Sequence, residues 1–359
     1  MWRNLGMRDY DTVYLLVGLS ESLLHNLSSI GHEVARRERL RGAATDALAV
    51  PLLPEEVGDD ELMVAARATG HPLGMAISGD RAAVYLPHEL ADGVEGTRLL
   101  GVLLRAASGE PVGPRSVPVR MPLGRALVAG GRPAVRAYLA GRDERRATGD
   151  PASPVPLGEG RFSRLTLVGP PLKDLRRMRS PGGRASPMTR VASVALAALA
   201  ATADPRHDVR VVLPADLRHL VGGRRVSGNF VSTETYGTLR GTDWSAASIS
   251  HMIAARRATG AVPLAASATR AALSRGRHGE AGPPGVLVSL LGTVDLPNGR
   301  PGVPPLLAAI TVGTSAGTFV FAAQVGAAIT VSLWDDTDAF DVAAFPDAFR
   351  SEMRSRTPS

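Results

Sequence analysis

Residues 87–93 of the chain read Pro87-His88-Glu89-Leu90-Ala91-Asp92-Gly93. Imidazole is the side chain whose ordinary pKa lies closest to neutral pH. His88 therefore has the chemistry to take a proton from an alcohol or amine as that group attacks a carbonyl carbon. In a chain with 8 His and 39 Gly, a His-x-x-x-Asp-Gly pattern is expected by chance about 0.05 times. Spacing alone does not decide its meaning, so the position of the motif in the fold must. Asp92, four residues on and across a chain reversal, need not face a substrate. An ionised Asp in a buried turn needs a cation, which predicts an arginine partner elsewhere.

The elements around the motif can be read from periodicity. Leu73 to Ile77 and Ala82 to Leu86 are apolar runs joined by Ser78-Gly79-Asp80, a hairpin signal. The second run leads straight into His88. After Asp92-Gly93, Leu99, Leu100, Leu103 and Leu104 follow helical spacing up to Ala107. His88 thus leaves a strand and precedes a helix, where its ring can project into a cleft. Upstream, Ser20 to Arg41 and Glu55 to Thr69 read as amphipathic helices. Downstream, strands are expected at 161–168, 209–213, 286–291 and 306–312. Helices are expected at 172–178, 189–202, within 244–276 and at 342–353. Residues 141–160 are charged and then rich in Pro and Gly, which places a lobe boundary there.

Composition narrows the function. With 44% hydrophobic and 21% charged residues, the chain belongs among globular proteins. The absence of cysteine excludes disulfides, thiolate metal sites and a cysteine nucleophile, and fits a cytoplasmic enzyme. The net charge of +7 invites a nucleic-acid reading, but 40 of the 41 basic residues are Arg and only Lys173 is Lys. That bias, with no basic stripe interleaved with aromatics, argues against nucleic acid. A positive surface suits the phosphates of coenzyme A or an acidic acyl carrier protein. The apolar run Val13 to Val17 is too short and wrongly flanked for a signal peptide. Pro301 to Trp334 carries no charge, yet its Pro and Gly breaks and period-two tail mark a buried hairpin rather than a membrane span.

The second half supplies a cation for Asp92. Asp216-Leu217-Arg218 follows the strand at 209–213, and Gly228-Asn229 comes soon after. With these residues in that order, the chain resembles the chloramphenicol acetyltransferase-like superfamily, which includes nonribosomal peptide condensation domains, wax ester synthases and polyketide-associated acyltransferases. The segments Asp9 to Val13, Phe162 to Met178 and Ser289-Leu290-Leu291-Gly292-Thr293 also resemble its layout. The resemblance implies a mixed α/β (α+β) chain of two chloramphenicol acetyltransferase-like subdomains, each a two-layer sandwich, with a tunnel between them. Residues 1–150 would form the lobe carrying the motif and residues 151–359 the second lobe.

It also implies roles for single residues. His88 would be the general base, Asp92 a structural carboxylate paired with Arg218, and Gly93 a residue permitting the tight turn. Asn229, Ser289 and Thr293 would line the tunnel, with Ser289 and Thr293 as candidate oxyanion donors. The implied activity is transfer of an acyl group from coenzyme A or an acyl carrier protein to a hydroxyl or amine of a small specialised metabolite. No metal or other cofactor is expected, because acyl-coenzyme A or acyl-phosphopantetheine is itself a co-substrate. The chain departs from the family pattern at Pro87, where many members carry a first His, and at Leu290, where they carry Asn. A catalytically inactive docking module for a carrier protein or partner enzyme is the alternative. A zinc site of the His-Glu-x-x-His kind would need a helix through His88, which Pro87 and Gly93 oppose. His25, His32, His219 and His251 read as ordinary surface or core residues. Ser180 to Arg184 could bind an anion at the start of the following helix, although such segments are more often plain connections.

Overall fold

The computed structural model describes residues 10–38, 40, 50–69, 73–87, 91, 93–113, 117–118, 124–125, 127–128, 131–132, 135–136, 160–178, 185–205, 209–216, 226–227, 231–259, 285–313 and 317–357. Apolar runs in the first third build one sheet from β1 (Tyr10–Val17), β2 (Leu52–Leu53), β3 (Gly74–Ser78) and β4 (Arg81–Pro87). β4 is antiparallel to both β1 and β3, and β2 adds in parallel at the edge. Helices α1 (Glu21–Glu38), α2 (Asp59–Ala68) and α3 (Gly93–Ala107) accompany it. Leu23, Leu24, Leu27 and Val34 of α1 are buried, as their spacing predicts. α2 begins at Asp59 rather than Glu55, because the turn after Pro54 is closed by Val57 N–H donating to the Pro54 carbonyl. Arg81 then fastens that turn to β4, donating to the Glu55 and Val57 carbonyls and to the Asp59 carboxylate.

A second sheet holds six strands in the order β6-β13-β12-β10-β7-β9. They are β6 (Arg161–Leu167), β7 (Arg210–Asp216), β9 (Val231–Thr238), β10 (Gly285–Val294), β12 (Thr318–Val325) and β13 (Ala328–Asp335). A short parallel pair joins β5 (Val117–Pro118) to β8 (Val226–Ser227). Period two divides the strand residues of the large sheet between two cores. Val211, Leu213, Val286, Val288, Val320, Ala322, Val331 and Leu333 share one core with α4 (Pro170–Arg177), α5 (Pro187–Thr202), α6 (Ala246–Thr259) and α7 (Phe345–Arg356). Phe319, Phe321, Ala323, Val325 and Trp334 point the other way and join the core of the first lobe. Burial on both faces accounts for the absence of charge in β12 and in β13 up to Trp334.

The lobes share a strand. β11 (Leu306–Gly313) comes from the second half but is an edge strand of the first sheet, antiparallel to β1. Its outer side packs on β12 and β13. There Ser332, fully buried, donates to the Ala309 carbonyl at 3.0 Å and accepts from the Ala309 N–H at 3.4 Å. One hydroxyl thus satisfies the free backbone groups of an edge residue, which would otherwise be buried unpaired. A mixed α/β architecture in two lobes is as the sequence implies. The linker at 141–160 lies outside the described residues apart from Gly160. The Ser180–Arg184 segment is also outside them. Ser186 caps α5, its Oγ accepting from the Thr189 N–H.

Candidate active site

Of the residues expected to do chemistry, Gly93, Ser289 and Thr293 are described. His88, Asp92, Arg218, Gly228 and Asn229 lie outside the described residues, so the site is defined by what brackets the motif. Pro87 is the last residue of β4 and Gly93 the first of α3. Between them the Ala91 N–H donates to the Pro87 carbonyl at 3.3 Å, and Ala91 is buried. Thr97 Oγ1 donates to the Gly93 and Val94 carbonyls, bracing the first turn of α3.

That turn is held from two sides. A Cβ on Gly93 would lie 2.7 Å from Leu291 Cδ2, a side chain of the second sheet. Gly93 does not have the left-handed backbone of a tight-turn glycine. Its missing side chain lets Leu291 of the second lobe approach. One turn on, a Cβ on Gly96 would lie 2.2 Å from Tyr14 Oη. Tyr14, on β1, is fully buried and packs edge-on against Phe321 at a centroid distance of 6.5 Å. Farther along α3, Arg98 bonds Glu95 and Glu38, whose carboxylates are only 6% and 3% exposed. Burial alone would lower the Arg98 pKa, but the hydrogen bonds and charges of Glu95 and Glu38 outweigh it and raise the value.

β10 carries Ser289, Leu291 and Thr293, and a bulge decides which way each faces. Leu290 pairs with Ala322 and Gly292 with Ala323, so Leu291 is an extra residue in the strand. Gly292 supplies the bend with φ +74°. Before the bulge, Leu287 and Ser289 register with Phe319 and Phe321, which face the first lobe. After it, Val294 takes that face, while exposed Thr293 pairs with Gln324 on the other. The bulge therefore separates the two candidates: Ser289 stays towards the first lobe and Thr293 turns away.

Coverage of that face is uneven. On β12, Phe319, Phe321 and Ala323 are buried. On β10, Leu287, Ser289 and Leu291 are only half-buried, as are Val212, Pro214 and Asp216 on the same face of β7. On this face, burial is thus less complete at β10 and β7 than at β12. Asp216, first residue of the Asp-x-Arg pattern, ends β7 at that side. A separate polar cleft of about 630 Å³ runs along the seam formed by Glu55, Asp59, Asp60, Asp80, Arg81 and Arg164. In it Asp59 accepts from Arg81 of the first lobe and Arg164 of the second, each at 2.8 Å. Neither Gly93 nor Ser289 lines that cleft.

Reasoning from the sequence missed Tyr14, Gly96 and Leu291. The available signal was the pair Gly93 and Gly96, three residues apart at the start of α3 and so neighbours on the helix surface. No group of three or more His, Asp or Glu among the described residues could hold a metal ion, and no described helix is long and apolar enough to cross a membrane.

No protein-family model matches the chain, and no curated protein matches it. Solved structures do. The chain is similar to polyketide synthase associated protein 5 from Mycobacterium tuberculosis, with 18% identity, 96% of this chain and 93% of that one covered, and a TM-score of 0.54. It is similar to the epimerization domain from the third module of tyrocidine synthetase B, with 14% identity, coverage of 97% and 91%, and a TM-score of 0.54. A third is a mutant starter condensation domain of rhizomide synthetase in complex with C8-CoA and Leu-SNAC, with 15% identity, coverage of 97% and 88%, and a TM-score of 0.50. At such identities the likeness is one of fold: the chain has the two-lobed fold of these epimerization, polyketide synthase associated and condensation proteins.

Proposed function

We propose that the chain is an acyltransferase, moving an acyl group from a thioester of coenzyme A or an acyl carrier protein to a hydroxyl or amine of a small specialised metabolite. One observation carries this reading. The His88 motif is bracketed by the end of β4 and the start of α3, where Leu291 of the second sheet meets Gly93 and the facing strands are incompletely covered. A fold neighbour's complex with C8-CoA supports a thioester donor.

In this reading His88 takes the proton of the acceptor O–H or N–H as that atom attacks the thioester carbonyl. The new C–O or C–N bond gives a tetrahedral oxyanion, which collapses with cleavage of the C–S bond. The departing sulfur receives the proton from His88, so the products are ester or amide and free thiol. Asp92 paired with Arg218 would hold the His88 turn, and Asn229 would shape the passage. Ser289, on the lobe-facing side of β10, is the candidate hydroxyl for the oxyanion. Holding both substrates between the lobes supplies the positioning that such transfers depend on.

The test is mass spectrometry of acceptor candidates incubated with a panel of acyl thioesters. Removing the base in His88→Ala should lower the rate by about a hundredfold or more. Equal product from wild type and His88→Ala would overturn the role of His88. Absence of transfer by wild type with every donor would favour a docking module instead.

A further inference from the structure

The segment that carries His88 runs between two ends held by different sheets. Its first end, Pro87, is fixed in the first sheet by pairing with Asp11 of β1. Its second end, Gly93, opens α3, which packs along β10 of the second sheet. Two close approaches set that alignment. A Cβ on Gly93 would meet Leu291 Cδ2 at 2.7 Å, and a Cβ on Gly101 would meet the Asp295 carbonyl at 3.3 Å. Eight helical residues rise about 12 Å and four strand residues span about 13 Å, so one helix laid along one strand makes both. Arg105 adds an ion pair to Asp295 at 2.7 Å. The approach at Gly93 depends on the bulge. Leu290 packs on the core of the second lobe and Leu291 on that of the first. Gly292, not Leu291, pairs with Ala323, so Leu291 is released from the ladder.

Resting on the acyl-transfer reading, we infer that Leu291 is a positioning residue for His88: its bulged side chain is the stop against which the first turn of α3 seats. Glycine at position 93 brings helix backbone, rather than a yielding side chain, against that stop. The stop sets where the second end of the His88 segment lies, while the first sheet sets the other. A general base displaced by about 1 Å can lose a hundredfold in rate, so one leucine of the second lobe governs a histidine of the first.

The experiment combines steady-state kinetics of Leu291 and Gly93 variants with NMR of histidine-labelled protein. Leu291→Ala should lower kcat by about ten- to a hundredfold while KM stays within about twofold. Leu291→Met, of similar volume, should bring kcat back to within about threefold of wild type. Gly93→Ala should lower kcat more modestly, because the leucine end it meets can turn aside. Adding Leu291→Ala to it should cost less than the two single losses multiplied together, since the colliding atoms are gone. Should Leu291→Ala fail to fold, Leu291→Val trims the same side chain by less. The His88 ring signals, assigned with His88→Gln, should move in Leu291→Ala and return in Leu291→Met, while those of exposed His25 and His251 stay in place. A raised KM at unchanged kcat would overturn the inference by making Leu291 a substrate contact. Wild-type kcat and unmoved His88 signals in a folded Leu291→Ala or Leu291→Val would overturn it too. If wild type transfers no acyl group from any donor, the acyltransferase reading falls and the ring signals alone decide whether Leu291 places His88.

Discussion

A methyl group on Gly96 would overlap the Tyr14 ring, with its oxygen at 2.2 Å and Cζ at 2.8 Å. Because Tyr14 is fully buried and packed against Phe321, the ring has little room to retreat. Gly96→Ala should therefore destabilise the protein by about 1–3 kcal/mol through overpacking. Tyr14→Phe in the same background, which removes the nearest atom, should recover part of that loss. Chemical denaturation of the two single variants and the double variant would measure the coupling. Additive effects would mean that the helix and the ring adjust independently. Gly93 is a contrasting case, since the atom it would meet is the free end of Leu291, which can rotate at lower cost. Both positions matter because they hold the first turn of α3, which directly follows Asp92.

At the scale of elements, α1 and α3 are joined by charge inside a largely apolar contact. Arg98 reaches Glu38 at 2.6 Å and Glu95 at 2.9 Å, with both carboxylates nearly excluded from water. Arg98→Ala removes this cation from two buried anions and should cost about 3 kcal/mol at neutral pH, the lower end for a broken buried network because Arg98 is itself partly exposed. The sign with pH follows from the charges. In the variant the buried carboxylates favour their protonated forms in the folded state, so the deficit should shrink as pH falls into the carboxylate range. Thermal melts at pH 7 and pH 4 would check this. A deficit that stays constant would assign the loss to packing of the arginine stem. A clamp at this point keeps the helix after the motif from sliding along α1.

The two lobes are one structure through β11. The strand is edge to the first sheet and neighbour to the second, and Ser332 bonds both backbone groups of Ala309 across the gap. Ser332→Ala strands a buried N–H and a buried carbonyl and should cost about 1–3 kcal/mol. Faster hydrogen exchange in both β11 and β13, rather than in one sheet alone, would show that the hydroxyl couples the lobes. On its lobe-facing side the second sheet is more fully buried at β12 and β13 than at β10 and β7, and the less buried part is where Gly93 meets Leu291.

Much of this was open to reading in the linear chain. Apolar runs joined by a Ser-Gly-Asp turn marked the β3–β4 hairpin, period-two alternation marked β12–β13, and 3–4 spacing marked α1 and α3, because those patterns reflect local burial and local turns. The His88-x-x-x-Asp92-Gly93 spacing was visible for a similar reason: a strand, a turn and a helix that follow one another place their residues by local geometry. Other features depended on distant contacts. Nothing local in Leu306 to Gly313 says that the strand leaves its own half of the chain, since its partner β1 lies some three hundred residues away. Likewise Ser289 and Thr293 differ by four residues and would share a face of any regular strand. Only the extra residue at Leu291, accommodated by the pairing with β12, sends them to opposite sides. The amino-acid order determined the elements and the chemical groups at their ends; tertiary packing decided which faces met, because register and bulges are set by the neighbour rather than by the strand itself.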